Sequence, residues 1–117
     1  MAIFFIHLAT GPENPTRAAL AMLVARTAAA EGHEVTVFLA GDVVQLLRPE
    51  TAAATQGVGT GAFEEHWAAL REAGVQIYAS GMSSKARGVD VAASAAEPAQ
   101  PQKLVELAAA ADTTLIY

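Results

Sequence analysis

The feature that most constrains the fold is an almost unbroken apolar run at Ile3–Leu8, followed by a helical segment and a second strand-like run. A run that does not alternate with polar residues is typical of a strand buried on both faces, as in a parallel sheet. Asn14 followed by Pro15 predicts the start of the helix, and Gly32 predicts its end. Glu34–Leu39 predicts the second strand. The three elements form a βαβ unit, whose crossover we expect to be right-handed.

The middle of the chain continues this alternation of helices and strands. Val43–Leu47 predicts a short helix that Pro49 ends. Glu50–Gly61 is small, polar and glycine-bearing, which favours a mobile loop. Apolar residues return at helical spacing over residues 63–74, and Val75–Ala79 predicts a third strand.

The last part of the chain has weaker signals. Met82–Gly88 predicts a turn or short helix, and Val89–Ala96 is ambiguous, with a weak fourth strand expected somewhere in 89–97. Pro101 precedes a helical segment, and Thr113–Tyr117 predicts the last strand. This order predicts a three-layer α/β/α fold of Rossmann-like type, with a mainly parallel sheet of about five strands. We expect residues 1–117 to form one domain.

Composition limits the partners and the location of such a domain. The net charge is -5, which disfavours nucleic acid, and no apolar run approaches the roughly 20 residues of a membrane helix. Ala2–Leu8 is too short for the core of a signal peptide. Apolar residues make up 53% of the chain, much of it alanine, so we expect thin helices with apolar surface left for a subunit interface. A homo-oligomer without nucleic-acid or membrane partners is predicted.

The chain contains no cysteine. Thiolate is the nucleophile in thiol transfer and redox exchange, and it is the preferred ligand of soft metals. Composition therefore excludes thiol or persulfide chemistry on a side chain of this protein. A chain without cysteine fits the cytosol, so a cytoplasmic location is expected.

Three predicted loops follow strands at the carboxyl edge of the sheet, where open α/β folds bind ligands. They are Thr10–Asn14, Gly41–Asp42 and Ser80–Gly88. Serine, asparagine and aspartate are also the ordinary residues of caps and turns, so each residue alone has a structural explanation. The candidate ligand-binding residues are Thr10, Asn14, Asp42, Ser80, Gly81, Met82, Ser83, Lys85 and Arg87.

Ser80 is the one candidate nucleophile, because it ends a predicted strand directly before a glycine. Its surroundings lack the G-x-S-x-G elbow, and a serine nucleophile needs a base with a third group to orient it. His7 is expected to be packed inside the first strand, His33 to lie at the opposite edge of the sheet, and His66 to be exposed on a helix. No catalytic residue is therefore assigned, and Ser80 is kept as the candidate.

Cofactor and metal signals are weak. Gly57–Ala62 has the glycines of a dinucleotide loop, but it neither follows the first strand nor opens its helix. No phosphate-loop signature is present, and the histidines and carboxylates lack metal-ligand spacing. We expect no cofactor and no metal within one chain, with a site shared between subunits left open.

Several segments together resemble the DsrE/DsrF-like family. They are Pro15–Ala18, Gly32–Asp42, Ala73–Tyr78 and Lys85–Gly88, and the resemblance runs along nearly the whole chain. It implies a small α/β/α domain that assembles as a trimer, a hexamer or a related complex. Some members relay sulfur as a persulfide on a cysteine after the third strand, just before a glycine. Ser80 occupies that position here, so the sulfur-carrying atom is absent.

These observations lead to one main hypothesis and two alternatives. The main hypothesis is a non-catalytic, homo-oligomeric DsrE/F-like protein that binds a small ligand or a partner protein at the loop after the third strand. The first alternative is a structural subunit of a sulfur-relay complex, in which a partner supplies the cysteine. The second is a thiol-independent enzyme that uses Ser80 with Asp42 and either Lys85 or Arg87.

Overall fold

The computed structural model describes residues 1–117 and contains a five-stranded sheet flanked by helices. The elements in chain order are β1 (Ile3–Leu8), α1 (Pro15–Ala30), β2 (Glu34–Leu39), a 3-10 helix (Gly41–Leu47), α2 (Pro49–Ala53), β3 (Gln56–Gly57), β4 (Gly61–Ala62), α3 (Phe63–Glu72), β5 (Gln76–Ser80), α4 (Gly81–Ala86), a 3-10 helix (Val91–Ala93), β6 (Glu97–Ala99), α5 (Pro101–Ala110) and β7 (Thr113–Ile116). No helix is both long enough and apolar enough to span a membrane.

The large sheet has the strand order β6-β5-β2-β1-β7. Every neighbouring pair in it is parallel. The chain moves from β1 through β2 and β5 to the edge strand β6, and α5 then carries it back to β7 at the other edge. The predicted α/β architecture with a mainly parallel sheet of about five strands is confirmed.

One face of the sheet, here called the closed face, is covered by α1 and α3. Side chains from β1, β2 and β5 on this face join the main hydrophobic core, including the fully buried Ile6 and Val37. Above them α1 contributes Ala18, Ala21 and Met22, none of which is exposed to solvent. Alanine has a short side chain, so the helix axis lies close to the sheet and little space is left between the layers.

The opposite face, here called the open face, carries a row of aromatic side chains. His7 is the cross-strand neighbour of Phe38, which in turn neighbours Tyr78. The helix α5 crosses this face, and Lys103 Nζ lies 5.3 Å from the centroid of the Tyr78 ring. No residue of α5 is buried, and Ile116, the neighbour of His7 on β7, is 68% exposed. Phe5 and Phe38 on this face are buried, so the open face is exposed mainly along α5 and at its β7 end.

The mobile loop predicted for Glu50–Gly61 is wrong, because this segment is largely structured. Pro49 begins α2 at its first turn, and β3 pairs with β4 in a small antiparallel hairpin. Thr16 holds the hairpin: the Val58 amide donates to Thr16 Oγ1 at 3.0 Å, and Thr60 Oγ1 donates to the Thr16 carbonyl at 3.1 Å. Such tertiary contacts order a segment that has no apolar run of its own.

The fourth strand of the large sheet lies later than expected. Val89–Ala96 contains a 3-10 helix at Val91–Ala93, and the strand is β6 at Glu97–Ala99. Pro98 sits in this strand opposite Ala79. Proline has no amide hydrogen to donate, which is tolerated because β6 is an edge strand.

His66 is buried rather than exposed, with only 5% of its surface accessible. Its Nε2 lies 2.7 Å from the Thr60 carbonyl oxygen, and its Nδ1 lies 3.3 Å from Arg26 Nη1. Because a carbonyl only accepts and a guanidinium only donates, these contacts assign the proton of a neutral ring to Nε2. The imidazole thus joins α1, α3 and the β3–β4 hairpin.

Candidate functional site

The loops after β1, β2 and β5 meet at the carboxyl edge of the sheet. The backbone of Gly11 approaches the Asp42 carbonyl so closely that a Cβ at position 11 would overlap it. Ser83 connects the second loop to the third, because its Oγ accepts a hydrogen bond of 2.9 Å from the Gly41 amide. The expected juxtaposition of the three loops is therefore present in the fold.

Arg87 and Asp42 form an ion pair across two of these loops. Arg87 Nη2 lies 3.0 Å from Asp42 Oδ1, and Arg87 Nη1 donates to the Ser83 carbonyl at 3.1 Å. Arg48 donates in turn to the Arg87 carbonyl. The guanidinium of Arg87 already has a carboxylate and a carbonyl as partners, so its first role is to hold the loops together.

Ser80 ends β5 and caps α4. It is 8% exposed, and its Oγ accepts a hydrogen bond of 3.1 Å from the Ser83 amide. This is the ordinary bond of a serine at a helix N-cap. No histidine hydrogen-bonds to Ser80, so the arrangement lacks the base that a serine nucleophile requires.

The three histidines lie in separate environments. His33 Nδ1 accepts from the Ala2 amide at 3.0 Å, and His66 is held by the hairpin and α1. His7 lies on the open face between Phe5, with ring centroids 6.4 Å apart, and Phe38, at 6.2 Å. Its Nε2 is buried and has no hydrogen-bond partner. Burial lowers the pKa of His7, because desolvation penalises the charged ring.

The remaining candidates differ in how much of each side chain is free to meet a ligand. Asn14 caps α1 by accepting from the Arg17 amide at 3.1 Å, and Thr10 is half-buried. Lys85 is exposed and makes no ion pair. Met82 is 70% exposed. Gly81 begins α4, and a Cβ there would meet only the Ala99 carbonyl, at 3.9 Å. Met82 and Lys85 are thus the uncommitted side chains beside Ser80.

A groove beside Met82 was not anticipated from the sequence. Its volume is about 580 Å³, and Gln100, Pro101 and Val105 line it with Met82. Val105 lies on α5 and is 64% exposed. The apolar spacing of α5 predicted a helix, but only the path of α5 across the sheet shows that Val105 comes next to the loop after β5.

Nothing in the chain forms a metal centre by itself, since no group of three or more histidine, aspartate or glutamate residues could hold a metal ion.

Besides His7 Nε2, a second buried polar atom lacks a hydrogen-bond partner. It is Ser84 Oγ, on a residue of α4 that is 2% exposed. Ser84 lies one turn after Ser80 and faces the protein interior. It was not among the candidate ligand-binding residues.

Comparisons with known proteins agree on the fold and the family. The structure is similar to the crystal structure of the ychN protein from E. coli, with a TM-score of 0.82 and 16% sequence identity over 100% of both chains. At that identity the likeness concerns the fold alone. No curated protein matches the sequence. The model of the DsrE/DsrF-like family matches residues 1–116. The chain therefore belongs to the DsrE/DsrF-like family.

Proposed function

We propose that this protein is a non-catalytic, homo-oligomeric DsrE/F-like protein that binds a small ligand or a partner protein at the loop after β5, without persulfide transfer. The observation that carries the proposal is the pair of exposed apolar side chains at this loop. Met82 is 70% exposed and Val105 is 64% exposed, and both line one groove. Large apolar side chains grouped at a groove are typical of a binding surface.

The open face supports the oligomeric part of the proposal. The helix α5 has no buried residue, and Ile116 is 68% exposed at the β7 end of the aromatic row. A second copy packed against α5 would bury apolar surface that this chain leaves in contact with water, which favours association. A trimer or a hexamer is the assembly expected from the family.

The chemistry of the loop favours binding over catalysis. Ser80 is engaged as a helix cap, and Arg87 is engaged by Asp42. Without cysteine, the loop has no atom on which a persulfide could form. Lys85 is exposed on the same loop and makes no ion pair. The groove itself combines apolar side chains with Gln100, Gln102 and Glu106, so it suits a ligand or peptide with both apolar and hydrogen-bonding groups. A cytoplasmic setting is part of this proposal.

The assembly is tested by substituting exposed valines and measuring molar mass by light scattering. Val105→Lys places a charge in the groove and is expected to dissociate the oligomer or block partner binding. Val58→Lys is the matched control, since Val58 is 85% exposed at the distant hairpin tip and its substitution is expected to leave the mass unchanged. A wild-type protein that is monomeric at micromolar concentration contradicts the oligomeric proposal.

Ligand and partner binding are tested separately, by calorimetry against a metabolite panel and by co-purification. Met82→Lys is expected to abolish binding, while Ser80→Ala is expected to retain it. Measurable turnover that Ser80→Ala abolishes would refute a non-catalytic role. Specific co-purification of a cysteine-bearing homologue would identify the partner as part of a sulfur-relay complex and would leave the binding site at this loop.

A further inference from the structure

A second cavity involves none of the candidate loop residues described above. It lies between the 3-10 helix that follows β2, the helices α2 and α3, and the segment 93–95, and its volume is about 420 Å³. Cavities that hold small ligands generally measure roughly 300–1,000 Å³. Leu46, Leu47 and Ala52 form one apolar wall.

The opposite wall is a single stripe of α3. Glu64, Trp67, Ala68 and Arg71 all line the cavity, and their spacing of three, four and seven residues places them on one side of the helix. An α-helix rises about 1.5 Å per residue, so Glu64 and Arg71 stand about 10 Å apart along its axis. The stripe thus has an acidic end, an aromatic middle and a basic end.

Trp67 provides a fixed aromatic surface in the middle of this stripe. Its ring stacks on Phe63, with centroids 5.9 Å apart and an interplanar angle of 24°. Phe63 is 1% exposed, so it belongs to the rigid interior. An aromatic ring held in this way can pack against a flat apolar ligand without losing much side-chain entropy on binding.

Arg71 and Glu64 are both free of ion-pair partners. The salt bridges of the chain join Arg26 to Glu65, Arg87 to Asp42, and Lys103 to Glu106. Arg71 therefore offers an unpaired guanidinium at one end of an apolar cavity, in a protein whose net charge is -5. Glu64 at the other end repels a second negative charge. This asymmetry selects a ligand with one anionic end.

From this geometry we infer that the cavity between α2 and α3 binds a small organic monoanion, whose flat apolar body packs on Trp67 and whose carboxylate pairs with Arg71. The ligand class is an aromatic monocarboxylate. A dicarboxylate of similar length would bring its second charge to Glu64 and is disfavoured. The site is independent of the loop after β5.

Trp67 is the only tryptophan of the chain, so its fluorescence reports on this cavity alone. The probe is 4-phenylbutyrate, with 4-phenylbutyramide as its uncharged counterpart. We expect a saturable change in Trp67 emission with the carboxylate and binding about two- to fivefold weaker with the amide, since one exposed ion pair distinguishes them. The Trp67 indole N–H signal in a nuclear magnetic resonance titration should shift in parallel.

Three substitutions complete the test. Arg71→Gln is expected to remove the preference for the carboxylate, whereas Arg17→Gln changes the net charge equally at the start of α1, outside the cavity lining, and should not. Ala68→Phe adds volume at an exposed position of α3 that lines the cavity, and it is expected to abolish binding of both probes. Equal affinity for the two probes, an unaffected Arg71→Gln variant, or no binding at all would overturn the inference. A Trp67 signal that follows protein concentration instead of ligand would assign the cavity to a second copy and would also overturn it.

Discussion

The two faces of the sheet are built from the same five strands, but they differ in how completely their side chains are buried. On the closed face, Met22 and Val37 are fully buried, and the buried His66 of the covering helices has a partner on each ring nitrogen. On the open face, α5 buries none of its residues and an imidazole nitrogen of His7 is desolvated without a partner. The closed face is covered by helices of the same chain, whereas the open face leaves apolar side chains of α5 and β7 exposed.

Met22→Ala is the strongest test of this difference. It removes a fully buried side chain from the closed face and is expected to lower the free energy of unfolding by about 2–5 kcal/mol. Leu107→Ala on α5 is the matched change on the open face. Leu107 is only half-buried, so the loss should be about half as large or less, because less apolar area leaves the protein interior.

Urea unfolding of both variants, carried out at two protein concentrations, measures both values. Equal losses for the two variants would contradict the distinction between the faces. If the loss for Leu107→Ala grows with protein concentration, the open face is buried by association, which sharpens the comparison.

Two histidines extend the comparison to polar groups. His66 has a partner on each ring nitrogen, so His66→Phe leaves the Thr60 carbonyl unpaired and is expected to cost about 1–3 kcal/mol. His7→Phe removes a buried nitrogen that has no partner, and it should be neutral or stabilising by up to about 1 kcal/mol. Thermal unfolding of both variants provides the measurement. A cost for His7→Phe as large as that for His66→Phe would show that His7 acquires a partner in the assembled protein.

Ser80, which caps α4, and Ser84, which lies within it, provide a second pair of polar groups with smaller expected effects on stability. Ser80→Ala removes the N-cap bond to the Ser83 amide and is expected to cost about 0.5–2 kcal/mol. Ser84→Ala removes a buried hydroxyl without a partner and is expected to be neutral or to stabilise by about 1 kcal/mol. Denaturant midpoints distinguish the two. Destabilisation by Ser84→Ala would indicate that the hydroxyl has a partner after all.

The smallest expected effect is the pH dependence contributed by His7. Its pKa is lowered in the folded protein, so the unfolded chain binds more protons between that value and the usual pKa near 6.5. His7 should not lower stability above about pH 6.5; stability should fall as the pH drops from there through the folded pKa, by at most about 1.4 kcal/mol per pH unit, and the loss should level off below the folded pKa. The difference in unfolding free energy between His7→Phe and wild type should therefore widen in acid. A constant difference from neutral to acid pH would contradict the desolvation of His7.

The long elements were predictable because local physics defines them. The Asn14 cap is present, and β1, β2 and β5 follow their apolar runs. The hairpin at Gln56–Ala62 was not predictable, because it depends on Thr16 and His66, which are distant in sequence.

The site was predictable in part for the same reason. Strand order brings the three loops to one edge, and this much follows from the fold class. The ion pair of Arg87 with Asp42 and the groove beside Met82 depend on side-chain packing between elements. No periodicity in one segment encodes such contacts.

The two edge strands of the sheet, β6 and β7, differ in how well they are protected against pairing with a strand of another molecule. In β6, Pro98 interrupts the row of amide donors, and the strand is only three residues long. The other edge strand is β7, which has the sequence TTLI and contains no proline or lysine. Exposed edge strands of this kind, rich in β-branched residues, are templates for pairing with strands of other molecules. If the protein aggregates when concentrated, intermolecular strand pairing is expected to begin at β7. The substitution Thr114→Lys should suppress this aggregation.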